Sequence, residues 1–468
     1  MPNKRGTSSD TRFPTVSLSP RGAARIKSGH PWVYRSDVAS AEGVPPGALV
    51  RVNDARGKIL GTALYSSSSQ IAIRMLSRTT AANPEAKVID LPALVAERIR
   101  AAIAYRRQIV SDTDAYRVVF SEADFLPGLI IDRYNDVVSV QILTQAMDAE
   151  PVRGAIIATL VEEFEKEHDL AGIVERVDPR IRELEQLPLR QSGLLWGKKS
   201  STIITMNSCR ADTLVCPSGC GTSAPYPDSA LKGRGFSRAV TATKDGASAP
   251  EASPPGEVPG IRFHYDALEG QKTGAFLDQR ENYAAAARYA HGEALDVFCY
   301  QGGFALHLAP HSSSVTGVDS SRPALEMAEK NGTLNGNLLN GKEIEWIEAN
   351  AFDLLRDYAT SGRRYDTVVL DPPAFAKTKR DLAKALSGYK ELNLRALKML
   401  SPGGILVTCS CSFHVSPADF LEVVADAARD AHKSLRLLET RGAAKDHPML
   451  LNVPETGYLK CLILMLTN

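Results

Sequence analysis

The chain from about residue 258 to 468 predicts a doubly wound parallel α/β sheet, preceded by a small β-rich N-terminal domain and a central α+β module. Three observations carry this. Strand-like and helical runs alternate from about Ile261 to the end, the pattern of a parallel sheet. Before residue 90 the apolar runs are short, rich in β-branched and aromatic residues, and broken by Gly, Pro, Asn and Asp. Between them lies a break in composition, from about 197 to 257.

At 468 residues the chain has room for two to four domains, given about 100–200 residues per domain. With 44% hydrophobic and 23% charged residues it is neither collagen, coiled coil nor wholly disordered. No apolar run approaches the roughly 18 residues that cross a bilayer, and MPNKRGTSSDTR lacks the apolar centre of a secretory signal. Seven Cys in a chain this long do not make a disulfide framework, so a reducing cytoplasm is expected.

The elements follow in order. Residues 1–12 read as a flexible tail. Residues 13–85 hold "PWVY", "GALVRVND", "KILGTALY" and "QIAIRML", a small barrel or compact sheet. Residues 86–196 begin with the helical run "LPALVAERIRAAIAYRRQIV", whose Leu94, Ile99, Ile103 and Ile109 form an apolar stripe. "YRVVFSEADFLPGLIIDRYNDVVSVQIL" reads as strands with Pro-Gly and Asn-Asp turns, followed by a helix over about 151–168 and a strand in "AGIVERVD". Residues 197–257 are rich in Ser, Thr, Ala, Pro and Gly, too poor in apolar surface to offset chain entropy, and read as a disordered insertion. Its Cys209, Cys216 and Cys220 fit no common zinc spacing, so no metal is expected.

The chemistry-bearing residues fall at the carboxyl ends of the last domain's strands, where open α/β sheets bind ligands. Asp296-Val-Phe-Cys-Tyr-Gln-Gly302-Gly303 closes the first strand; a glycine there allows a sharp turn and close approach of a ligand. Asp319 ends the next strand and is placed to accept ribose hydroxyls. No GxGxxG run is present, which favours an adenosine-containing cofactor other than a nicotinamide. Asn350 follows the third strand, as an adenine contact, a helix N-cap, or both. Asp371-Pro372-Pro373 is a rigid exit from the fourth. Cys409 and Cys411 of "LVTCSCS" end the fifth, where a thiolate could reach a substrate.

These motifs resemble those of class I S-adenosylmethionine-dependent RNA methyltransferases, which carry a Rossmann-like sheet. The match narrows further. "KTGAFLDQR" (Lys272–Arg280), "LDVFCYQGGFAL", "LDPPAFAK", "GYKELN", "SCS" and "DHP" (Asp446–Pro448) resemble the ribosomal large-subunit RNA cytosine-5 methyltransferases with an N-terminal PUA domain. "GHPWVY" and "DFLPGLIIDRY" extend the resemblance through the N-terminal half. It implies S-adenosyl-L-methionine as cofactor, large-subunit ribosomal RNA as partner, and allows a homodimer. Cys411 would add to carbon 6 of cytosine, and Asp371 would support the ring near N3. Gln279, Arg280, Asp296, Phe298, Tyr300, Gly302, Gly303, Asp319, Asn350, Ala351 and Asp371 would line the cofactor site. Arg98, Arg106, Arg107 and Lys377 would meet RNA. No metal is implied.

This sequence departs from the family pattern at two points. Asn350 stands where many relatives carry Asp, and no Cys follows Asp371 in its loop. Cys409, two residues from Cys411, would face the same side of a regular strand and is an alternative nucleophile. Two further readings stay open: the same fold acting on a purine such as guanine N7, and an RNA-binding assembly factor without catalysis. The net charge of +1 conceals an uneven distribution. Residues 1–115 hold 17 Lys+Arg against 9 Asp+Glu, and such basic excess binds phosphates without reading sequence.

Overall fold

A computed structural model describes residues 14–79, 89–166, 170–207, 260–268, 275–339, 341–376 and 378–467. The tail, Lys272–Gly274, Lys377 and the insertion cysteines Cys209, Cys216 and Cys220 lie outside the described residues. No helix among those described is long and apolar enough to cross a membrane.

The N-terminal domain comprises Thr15–Leu18 (β1), Pro20–Lys27 (α1), Trp32–Tyr34 (β2), Val38–Ser40 (β3), Leu49–Asn53 (β4), Ile59–Tyr65 (β5) and Ile71–Arg78 (β6). Its six strands run β2-β6-β5-β4-β1-β3. β4 alternates, burying Val50 and Val52, and Ser19 caps α1 by accepting from the Gly22 N–H. Val16, Leu18, Val33 and Ile73 complete this core.

The central module follows with Leu91–Ile109 (α2), Ala115–Phe120 (β7), Leu129–Tyr134 (β8), Val137–Ile142 (β9), Glu150–Glu165 (α3), Gly172–Glu175 (β10), Pro179–Leu184 (α4) and Gly193–Gly197 (β11). Its sheet runs β11-β10-β9-β8-β7. Val95, Ile99 and Ile103 of α2 and Val152, Ile156 and Leu160 of α3 pack on one core, which also takes Leu64 and Leu76 from the first domain. The predicted stripe is thus largely present, but Leu94 and Ile109 are only half-buried.

Ser201–Met206 (β12) pairs antiparallel with Ile261–Asp266 (β13), from Ser201↔Asp266 to Met206↔Ile261. This corrects the start of the predicted insertion. Over those six residues burial alternates, with Thr202, Ile204 and Met206 inside and Ser201, Ile203 and Thr205 on the more exposed face; the alternation is that of a strand, and averaging over the Ser/Thr-rich stretch conceals it. Tyr265 of β13 stacks on Tyr134 of β8 at a centroid distance of 3.6 Å. One core therefore runs from the central module through this ribbon into the last domain.

The last domain contains Arg280–Ala287 (α5), Glu293–Val297 (β14), Gly303–Leu308 (α6), Ser314–Asp319 (β15), Arg322–Leu334 (α7), Ile344–Glu348 (β16), Ala351–Ser361 (α8), Tyr365–Leu370 (β17), Leu382–Met399 (α9), Leu400–Ser410 (β18), Pro417–Asp430 (α10), Leu435–Arg441 (β19) and Lys460–Leu466 (β20). The sheet order is β16-β15-β14-β17-β18-β20-β19. The first five of these are parallel and β20 is antiparallel to both neighbours. Cores cover both faces, as a parallel sheet requires. The order reverses between β14 and β17, which brings the ends of β14, β15 and β17 to one edge, a topological switch point.

Candidate active site

β14 delivers a buried carboxyl and then a loop of unusual backbone. Asp296 is fully buried; its Oδ2 accepts from the Ala305 N–H at 2.8 Å. Its Oδ1 is buried without a hydrogen-bond partner among the described residues. Burial, with the nearby charges of Asp371 and Asp319, pushes this carboxyl up to about 8. Phe298 and Tyr300 then adopt positive φ of +67° and +49°, a region that costs a side-chain-bearing residue about 1 kcal/mol or more. Gly302, at φ +85°, opens α6. A Cβ on Gly303 would lie 2.5 Å from the Tyr283 ring, so the loop can sit this close to α5 only with glycine there.

The next strand ends hold the loop. Asp319 Oδ2 accepts from the Tyr300 N–H at 3.0 Å, and its Oδ1 accepts from the Ser321 N–H at 2.9 Å. Asn350 caps α8, its Oδ1 accepting from the Phe352 and Asp353 N–H groups. The cap is present, and it sets Ala351 as the first helical residue. Asp371 follows β17 directly, and the Gln279 amide donates to its Oδ1 at 3.0 Å. Asn282 in turn donates to the Gln279 oxygen at 2.7 Å. Gln279 thus orients Asp371.

The two cysteines separate sharply. β18 ends at Ser410, between them. Cys409 is fully buried opposite Cys461, and burial, then Cys461, pushes its thiol well up. Cys411 lies just past the strand, half-buried, with its sulfur 3.9 Å from the Pro372 carbonyl oxygen. The regular alternation that would put both on one face stops with the strand. Ser412 fixes the turn: its hydroxyl accepts from the Ala376 N–H at 3.1 Å and lies 2.9 Å from the Tyr389 hydroxyl.

Two family models match the chain: a PUA-like domain over residues 16–78 and an S-adenosylmethionine-dependent methyltransferase over 256–464. Ribosomal RNA large subunit methyltransferase I of Photobacterium profundum is 34% identical over 93% of this chain and 95% of its own length. The protein of the same name from Shewanella amazonensis is 34% identical over 96% and 98%. The chain belongs to the ribosomal RNA large subunit methyltransferase I family. A chain described as a SAM-dependent methyltransferase from Streptococcus mutans superposes with TM-score 0.69 at 16% identity, covering 96% of this chain and 99% of that one. A further methyltransferase structure, complexed with SAH, gives 0.70 at 16%. These two show the shared fold.

As a member of this family the chain is an S-adenosylmethionine-dependent methyltransferase, and the residues present fit that cofactor. The Gly302–Gly303 turn, the orphaned buried Asp296 oxygen and the Asp319 carboxylate meet at one sheet edge. The remaining expected residues divide. Arg280 is fully buried, its guanidinium bound to Asp112 at 2.5 Å and Asp446 at 3.3 Å. That commits it to joining modules, a correction to its expected place on the cofactor.

Of the expected RNA-facing arginines, Arg106 is buried, Arg98 half-buried and Arg107 exposed. Arg106 has no exposure; it pairs with Asp124 and donates to the Asp446 carbonyl at 2.9 Å. It occupies the buried stripe of α2 one turn beyond Ile103, and so cannot meet a phosphate. Arg98 donates to the Leu76 carbonyl at 2.8 Å and to that of Phe125. Arg107 pairs with Glu163 of α3. The net charge of α2 was legible in the sequence, but its pairing with Glu162 and Glu163 was not.

One residue escaped the sequence reading altogether. Lys460 is 5% exposed, and its ammonium donates to the Ser412 carbonyl at 2.6 Å and the Tyr458 carbonyl at 2.8 Å. A lysine heading the apolar run "CLILML" was the available signal.

Proposed function

We propose that this enzyme methylates carbon 5 of a cytosine in large-subunit ribosomal RNA, with Cys411 as nucleophile and Asp371 at the ring. The carrying observation is the contrast between the two thiols: Cys411 is accessible beside the Asp371-Pro372 loop, while Cys409 is sealed. Carbon 5 of cytosine is a poor nucleophile. When the Cys411 thiolate bonds to carbon 6, electron density moves through the ring toward N3 and carbon 5 becomes enamine-like. Asp371, oriented by Gln279, would in its protonated form donate its proton to N3 as that charge builds. Bound S-adenosylmethionine supplies an electrophilic methyl carbon. Loss of the carbon-5 proton and cleavage of the sulfur–carbon 6 bond then restore the aromatic ring and free Cys411.

For the cofactor, Asp319 would take the ribose hydroxyls, Asn350 and Ala351 the adenine, and the Phe298–Gly303 loop the remainder. The substrate follows the names of the relatives, and the PUA-like match at 16–78 supports an RNA partner. The test is nucleoside mass spectrometry of ribosomal RNA from a deletion strain, before and after treatment with purified enzyme. A 5-methylcytidine that disappears and is restored is the expected result. A 7-methylguanosine that behaves this way would overturn the cytosine reading. A protein that fails to bind S-adenosylmethionine by calorimetry would overturn catalysis itself.

A further inference from the structure

We infer that Lys460 is a positioning residue for this reaction, its buried ammonium holding the Cys411 sulfur in the thiolate form by charge. The inference rests on the reading of Cys411 as nucleophile.

The backbone places the two together. Lys460 pairs with Ser410 across the β18·β20 ladder, and its side chain reaches forward to the Ser412 carbonyl. It therefore straddles Cys411, with one contact on the residue before and one on the residue after. A buried ammonium is expensive unless an anion or full hydrogen bonding compensates it. Lys460 has two peptide carbonyls, and among the described residues no carboxylate lies within ion-pair distance of it. Every other fully buried cation of the inter-module network has a carboxylate. The anion for which Lys460 is built is the sulfur.

The electrostatics run the same way. Burial draws the ammonium down to about 8, and Cys411 opposes that, which is the signature of two groups that stabilise each other's charge. Among the described residues, two phenols also register the charge of Cys411. Tyr389 of α9 and Tyr458 ahead of β20 both feel it, and burial pushes both phenols up, so they stay neutral. Asp278 hydrogen-bonds the Tyr458 hydroxyl at 2.6 Å, and Asp371 precedes the Pro372 carbonyl beside the sulfur. On ionisation the thiol proton leaves to solvent and Lys460 keeps its own.

The test is the pH profile of Cys411 alkylation by iodoacetamide in the full-length protein, read on the Cys411 peptide by mass spectrometry so that other thiols do not interfere. An opposite charge at close range moves a pKa by about 1–3 units. Lys460→Met should therefore raise the alkylation midpoint by about one unit or more, and slow alkylation at pH 7 about tenfold. The acid limb of the methyl-transfer rate should move with it, S-adenosylmethionine affinity should not, and Lys460→Arg should stay near the wild-type midpoint. A Lys460→Met protein that binds S-adenosylmethionine normally with an unmoved midpoint overturns the proposal. If that variant does not fold, the wild-type profile decides: a midpoint at or above the free-thiol value of about 8.5 overturns it. Full activity in Cys411→Ala would instead sink the nucleophile reading. A dead Cys411→Ala with an unmoved Lys460→Met midpoint sinks only this inference.

Discussion

Two buried groups of charge in the last domain behave oppositely. Around Asp446, guanidiniums meet carboxylates: Arg280 binds Asp112 and Asp446, and Arg106 binds Asp124 and the Asp446 carbonyl. The Arg117 N–H adds a bond to Asp446 Oδ2 at 2.8 Å. Beside Cys411, the buried Lys460 ammonium donates to two peptide carbonyls, and among the described residues no carboxylate pairs with it. The first group is closed, with each charge answered by its opposite, and its work is to rivet the central module to the last domain. The second is not closed in this way, and its thiol is half-buried. Buried charge marks chemistry where the compensation is incomplete, and structure where it is complete.

The largest test of the contrast is Cys411→Ala. Removing a nucleophile should lower methyl transfer by at least about 1000-fold in a filter-binding assay with labelled cofactor, while calorimetric affinity for S-adenosylmethionine stays unchanged. Next is Asp446→Asn, which leaves Arg280 short of a buried partner. Denaturant unfolding at pH 7 should show a loss of about 3–5 kcal/mol. Burial raises the Asp446 pKa, but His447, Arg280 and the Arg117 N–H outweigh it and hold the carboxyl well below the usual carboxylate range. Its stabilisation is therefore complete above the unfolded value of about 3.9 and is lost as pH falls below it. The gap between wild type and Asp446→Asn should narrow below about pH 4 for that reason.

Asp319→Ala comes third. It removes the acceptor of the Tyr300 N–H and the proposed ribose contact, and should weaken S-adenosylmethionine about 10- to 100-fold by calorimetry, the value of one or two charged hydrogen bonds. The smallest effect belongs to Arg107→Ala. Its pair with Glu163 is 43% exposed on the arginine side, and unfolding free energy should change by no more than about 0.5 kcal/mol. A large loss there would mean that exposed pairs on α2 rivet the module as Asp446 does.

The sheet and its switch point were legible because their signals are local. A strand, a turn and a helix start occupy consecutive residues, so Asp296, Asp319, Asn350 and Asp371 could be placed in order from the sequence. The strand β12 was not, because its six residues alternate within a stretch whose average composition resembles a linker. The destinations of the long cations were not legible either. Arg106 finds Asp446 across 340 residues, and Lys460 finds Ser412 across 48. Net charge along a helix says how many cations it carries, and only the fold says which carbonyls and carboxylates meet them. "DHP" could be matched as a family marker, yet its role as the joint between modules rests on contacts with Arg106, Arg117 and Arg280 that no spacing predicts.

The separation between Arg106 and Asp446 also has a consequence in time. A ribosome adding about 5–20 residues per second needs some 20–70 seconds to cover that interval. During that time the N-terminal and central modules can assemble, with Arg106 held by Asp124 and the Arg117 carbonyl. The joint closes only when the last strands have been made and threaded into the sheet. A chain released before residue 446 would carry a guanidinium short of its partner at Asp446, along with an unpaired edge at β18. An open strand edge of that kind is a template for pairing with other chains, so the segment that carries Asp446 and β20 also protects the sheet.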